Sequence, residues 1–301
     1  MAGLTVAVFQ LFNGISVGSL LLLAALGLAI TFGVMGVINM AHGQFIMIGG
    51  YVAYTVERTF LALTGAVHPE IAFPLALPLS FVVCALLGVA LEWGLVRHLY
   101  QRTLDTLLAT FGVGLVLQQG ARDIFGAPNV NVSAPSWLDG RVMVGGGLVL
   151  PYARLFILGL ALLALGAVSL YLYRSPRGRR IRAVIQNREM AACLGVATGA
   201  VDREAFALGT GLAGLAGCAL GLVGPIGPFV GNDYIVDTFL VVITGGVGRL
   251  VGTVAASALI GTLDAVFTFL TTASLGKVVL FLAIILFLQW RPRGLVTLKA
   301  R

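Results

Sequence analysis

An all-α fold, a polytopic transmembrane bundle of about nine or ten helices, is what composition and patterning predict for this chain. Of its 301 residues 59% are hydrophobic and only 10% are charged, against about 25% charged in ordinary soluble domains. Several uncharged apolar runs approach or exceed the ~20 residues that a helix needs to cross a bilayer. A helix also satisfies its own backbone N–H and C=O groups where water is absent. Such a chain cannot cover its surface with polar groups, so membrane lipid is its first expected partner.

The apolar spans fall near residues 4–38, 44–64, 71–96, 104–125, 152–173, 204–223, 235–248, 250–271 and 275–290. The first would run roughly 50 Å as one straight helix, well beyond a ~30 Å hydrocarbon core. It is tilted, protrudes, or breaks at one of its glycines, and a break would raise the count from nine to ten. The first basic residue is Arg58, so the basic flank of a cleavable signal peptide is missing and this helix is expected to stay in the mature protein. Between the first two spans lies I-N-M-A-H-G-Q-F, residues 38–45, whose polar groups interrupt the longest uncharged part of the chain. Asn39 is placed to cap a new helix there, and Gly43 permits close approach of a neighbour.

Orientation follows from the basic residues. Arg97 and Arg102, the seven arginines from Arg174 to Arg203, Arg249, and the group Arg291, Arg293, Lys299 and Arg301 hold 14 of the 19 if they share one side. Excess Lys and Arg marks the cytoplasmic side, which places the C-terminus there. The net charge of +7 is thus accounted for without nucleic acid. Cys84, Cys193 and Cys218 lie in or beside apolar runs with no paired spacing and read as small packing residues, neither disulfide nor metal ligands.

A single domain over residues 1–301 is expected, with two substantial loops. The outer one, about 126–151, holds G-A-P-N-V-N-V-S-A-P-S-W-L-D-G and reads either as an ordered cap anchored by Trp137 or as a plain connector. The inner one, about 175–203, is rich in arginine. Within it Asn187 can cap a short helix from Arg188 to Leu194, Glu189 favours its N-terminal end, and Gly195 is placed to end it. Two turns of helix are marginal in water alone. This one presents Met190, Ala191, Cys193, Leu194 and Val196, and so needs a partner surface, or else lies on lipid headgroups.

Glycine is heavily used, 40 residues, mostly within spans, where small residues let helices approach. A shift of 205 residues lays Ile38 on Ile243, Gly43 on Gly248 and Gln44 on Arg249, a weak internal repeat of the kind that transporters place at a central pathway. No enzyme constellation stands out: the chain has no H-E-x-x-H, no phosphate-binding G-x-x-x-x-G-K and no metal-ligand spacing. Polar groups within the spans, among them Asn13, Gln118 and Asp264, are costly in lipid and should face the bundle interior.

L-G-L-A-I-T-F-G-V before I-N-M-A-H-G-Q-F, then R-A-V-I-Q-N-R-E-M-A-A-C-L-G-V, A-F-A-L-G-T-G-L-A-G-L-A-G-C-A-L-G and the ending R-P-R-G-L resemble the permease subunits of branched-chain amino acid type ABC importers. Within that family T-L-L-A-T-F-G-V-G-L-V-L-Q-Q, P-S-W-L and N-R-x-M-A-A-C-L-G-V look most like the urea permease B subunit. The resemblance implies a transport subunit of the bacterial cytoplasmic (inner) membrane that imports urea, or branched-chain amino acids or short amides by the same machine. An autonomous channel is the third reading, which the 175–203 loop opposes. Implied partners are a homologous second permease subunit, two cytosolic ATP-binding cassette ATPases and an extracytoplasmic binding protein. ATP is used by those ATPases, and this chain is expected to bind no cofactor. Asn187, Glu189, Met190, Ala191, Leu194 and Gly195 would then form the coupling helix. Asn39, His42 and Gln44 would line the translocation path, unless His42 simply bonds to a neighbouring helix. The family commonly has Glu where this chain has Gln44, an uncharged amide that still donates and accepts.

Overall fold

The computed structural model describes residues 2–99, 102–144, 148–292 and 294–296. Among them it contains eleven α helices: α1 Ala2–Met35, α2 His42–Thr64, α3 Pro69–Gly94, α4 Thr103–Phe125, α5 Tyr152–Arg174, α6 Pro176–Gln186, α7 Arg188–Cys193, α8 Thr198–Leu220, α9 Val230–Gly245, α10 Leu250–Leu270 and α11 Ala273–Trp290. Two of the eleven, α6 and α7, lie in the inner loop, where the sequence leads one to expect a single short helix apart from the nine or ten spans. Length and apolar composition carry five membrane crossings, in α1, α3, α5, α10 and α11. The other four long helices are shorter or more polar. Arg293, Lys299 and Arg301, three of the fourteen basic residues expected to share one side, lie outside the described residues.

α1 runs unbroken for 34 residues, so none of its glycines splits it. The chain leaves it at Gly36, where φ is 63°, a left-handed conformation that suits glycine. The most apolar stretch of α1 is 78% buried, against 17–33% for the other four candidate crossings. It is therefore the central post. α8 and α10 pack along it, α3 and α2 pack on α8, and α9 lies against α1, α2 and α10. α4 touches α2 and leaves much of its length exposed.

Close approach of backbones explains the glycines. A Cβ on Gly27 would collide with the Gly209 carbonyl oxygen, and one on Gly209 would sit 2.6 Å from that of Gly27. The same reciprocity joins Gly43 and Gly231 at the starts of α2 and α9. α1 on α10 and α8 on α3 repeat the pattern, so the contacts made by α1–α2–α3 match those made by α8–α9–α10, as an internal repeat requires. The register differs from the sequence expectation: Gly43 faces Gly231, while Gly248 lies against Gly33 of α1. A loose match of glycines in sequence had no means of choosing between them.

The one sheet among the described residues is an antiparallel pair, β1 Arg141–Val144 with β2 Leu148–Pro151. It belongs to the outer loop, which is fastened elsewhere. Ser133 donates from its backbone N and its Oγ to the two oxygens of Glu57 on α2, both at 2.8 Å. Val130 pairs with Ile226, in the connection between α8 and α9. Trp137 sets its ring edge on Phe156 at 5.6 Å while staying 47% exposed.

Candidate functional site

Two places in the bundle combine unusual chemistry with a location that helices control. The first is where α2 and α9 begin. His42 Nε2 meets the Ala24 carbonyl at 3.1 Å, and Ala24 is eleven residues short of the end of α1. At 1.5 Å per residue α2 therefore starts roughly 16 Å inside the bundle.

Asn39 does not cap α2 through a helical N–H. Its Oδ1 accepts from the Ala41 backbone N–H at 3.0 Å, an Asx turn that ends at Ala41, the residue in the N-cap position. The Met40 N–H donates to Thr110 Oγ1 of α4 at 3.1 Å. His42 is wholly buried against α1. Since a carbonyl only accepts, its Nε2 carries the proton, and Nδ1 is left without a partner.

Gln44 points the other way. Its Nε2 donates to Asn232 Oδ1 of α9 at 2.8 Å, and Asn232 Nδ2 donates to Gln118 Oε1 of α4 at 3.1 Å. Three uncharged amides thus run from the buried interior to an exposed face. Gln44 Oε1 and Asn39 Nδ2, an acceptor and a donor, are buried without partners in the structure. Asn232 and Asp233 are exposed. Polar groups at this depth are expensive against hydrocarbon and belong against water or another subunit.

Asn232 was not among the residues that the sequence singled out, although a signal was present. V-G-N at 230–232 repeats the Gly-amide order of H-G-Q at 42–44, again just after a break.

The second place is the arginine-rich end. Asn187 Oδ1 accepts from the Met190 N–H at 2.9 Å and so caps α7. The helix stops at Cys193, one residue before the sequence expectation, and Gly195 follows with φ 81°. Met190 and Leu194 are 58% and 78% exposed, whereas Ala191 is buried against the chain's own core. Glu189 and Cys193 are also exposed.

What holds α7 is an ion pair that sequence spacing does not announce. Arg188 donates from both terminal nitrogens to the two oxygens of Asp202, at 2.9 and 2.5 Å, and Asp202 on α8 has no exposure at all. A bidentate guanidinium–carboxylate pair fixes orientation as well as distance. Next along α8, Arg203 reaches the buried Glu92 of α3 at 3.5 Å. Movement of α7 is thereby tied to α8 and from there to α3.

Comparison with known proteins bears on both places. The chain matches the family described as branched-chain amino acid transport system / permease component over residues 10–288. It is 29% identical to the high-affinity branched-chain amino acid transport system permease protein BraD of Pseudomonas aeruginosa over 293 residues, covering 95% of this chain and 94% of that one. It is 28% identical to the permease protein LivH of the corresponding Escherichia coli K12 system over 308 residues, with the same coverage. A third relative, the inner membrane ABC transporter permease protein YjfF of Escherichia coli K12, is 26% identical over 84% of this chain and 76% of its own length. No solved structure matches.

Proposed function

The chain belongs to the branched-chain amino acid transport permease family, a transport subunit rather than an enzyme, and from that premise we propose that it is the permease of an ATP-driven importer in the bacterial cytoplasmic membrane. Its residues form one permease domain. The arginine-rich end faces the cytoplasm, where α7 is the coupling helix for one of two ATP-binding cassette subunits that use the ATP. The observation carrying this reading is the capped helix Arg188–Cys193 with Met190 and Leu194 exposed at its end. Asn187, Glu189 and Gly195 shape it, and Ala191 seats it on its own chain. The 126–151 loop faces the extracytoplasmic binding protein.

The exposed amide Asn232 and the half-buried Gln118, with Gln44 behind them, line the path against a homologous second permease subunit. Asn39 and His42 support that lining from within: Asn39 sets the turn, and His42 holds α2 on α1. The nine long helices are the crossings in this arrangement.

Branched-chain amino acids are the cargo that the family and the names of its relatives support. Urea, the first expectation from sequence, has no such support. One observation favours it as a second reading: Gln44, Asn232 and Gln118 form an uncharged, mutually hydrogen-bonded lining, which suits a neutral amide. Labelled leucine and labelled urea should be offered to proteoliposomes holding the complex, its binding protein and internal ATP. Leucine uptake that stops without ATP is expected. ATP-dependent urea uptake that leucine cannot replace would move the cargo, and equal urea flux without ATP would make the protein a channel.

Leu194→Asp should abolish ATP-driven uptake, because a charge then enters the apolar contact with the ATPase. Cys193 reports on the same contact, since Cys84 and Cys218 are buried. Maleimide should label Cys193 in the isolated permease and fail to label it in the assembled complex. Full labelling of Cys193 in a complex proven to contain the ATPases would remove α7 from that interface.

A further inference from the structure

At the arginine-rich end a cleft of about 330 Å³ opens between α5, α6 and the turn joining α9 to α10. Its lining includes Tyr173, Arg182, Ile185, Arg249, Leu250 and Val251, with two arginines and no carboxylate. Among the described residues neither guanidinium is in an ion pair. Arg182 is held over the Tyr173 ring, 5.0 Å from its centroid. Arg249 occupies the N-cap position of α10, a helix with no side-chain cap and no acidic residue in its first turn. An uncapped helix start presents free N–H groups and the positive end of the helix dipole. The cleft therefore favours an anion with several acceptor oxygens.

Its other walls are apolar and open. Val251 is 73% exposed, Tyr173 59% and Ile185 39%, and Val251 lies in the first turn of a helix long and apolar enough to cross a membrane. A free inorganic anion would leave that surface unused. Basic clefts of this kind at the cytoplasmic interface take anionic lipid headgroups.

We propose that this cleft binds one anionic phospholipid, its phosphate between Arg182 and Arg249 and an acyl chain over Leu250 and Val251. The lipid bridges α6, which leads into α7, to the α9–α10 turn, which packs through Gly248 on Gly33 of α1. It ties the arginine-rich segment to the second half of the bundle.

The test is retention of lipid by the purified complex, read by native mass spectrometry after reconstitution with phosphatidylglycerol and phosphatidylcholine and then detergent washing. The wild-type complex should keep one phosphatidylglycerol and no phosphatidylcholine. Arg182→Gln or Arg249→Gln alone should lower retention about fivefold, and both together about thirtyfold, as expected when each arginine contributes separately. Arg182→Lys should keep most of it, and Arg177→Gln, an exposed arginine of α6 outside the cleft, should keep all of it. Unchanged retention in both single variants would overturn the proposal. Displacement of the lipid by millimolar inorganic phosphate would overturn its lipid part and leave a free-anion site. The readout involves no transport, so a failed cargo assignment leaves it untouched.

Discussion

Arg188→Met should reduce ATP-driven uptake at least tenfold while the protein still inserts in the membrane. Asp202 is fully buried, and its partner is removed. Breaking a buried pair from one side costs roughly 3–5 kcal/mol, because the remaining charge is uncompensated. The joint between α7 and α8 should open and the arginine-rich loop should lose its fixed bearing on the bundle. Adding Asp202→Asn removes the stranded charge. The double variant should then recover thermal stability in detergent without recovering uptake, since the bidentate tether is still missing. Normal uptake by Arg188→Met, at wild-type expression, would show that the tether transmits nothing.

Gly43→Val should be nearly as damaging, by a different route. Even a Cβ at this position meets the Gly231 carbonyl oxygen and the Ile235 side chain, and valine adds two methyl groups. Overpacking of this kind typically costs 1–3 kcal/mol, occasionally more. Here the strain falls on backbone and not on a yielding side chain, which argues for the upper part of that range. The starts of α2 and α9 should separate and the Gln44–Asn232 hydrogen bond should be lost. Thermal unfolding of the purified protein should shift down by several degrees and uptake should fall to background. Gly199→Ala, where nothing lies within 4 Å of the added atom, should change neither. If Gly43→Val unfolded like the wild type, the two helix starts would not be the tight joint described.

Local signals carried much of this fold. Hydropathy located the long helices, and the Asn187 cap and the Gly195 stop bounded α7 to within a residue, because capping depends only on neighbours in the chain. The break at residues 38–45 was also visible. Its internal geometry was not: whether Asn39 bonds to N2, N3 or Ala41, and whether His42 faces α1 or a path, depends on how α1, α4 and α9 are placed around it. The Arg188–Asp202 pair is fourteen residues long in sequence and crosses two helices, so spacing rules for a single helix missed it. The repeat showed the same limit. Glycines are frequent enough in these spans to align in several registers, and only the reciprocal contact of Gly43 with Gly231 selects one.

The central place of α1 has a consequence for biosynthesis. Its main neighbours, α8 and α10, span residues 198–270, so α1 waits for partners made long after it. At roughly 5–20 residues per second that interval is on the order of 10–40 seconds. During it α1 has the start of α2 and later α5 beside it, while the faces meant for α8 and α10 stand in lipid. A polar stripe suited to its final neighbours would be costly through that wait, whereas the leucines, alanines and glycines that dominate it are tolerated in both settings. The helix that the finished bundle hides most completely from lipid is thus the one that must be most at ease there while the chain is still being made.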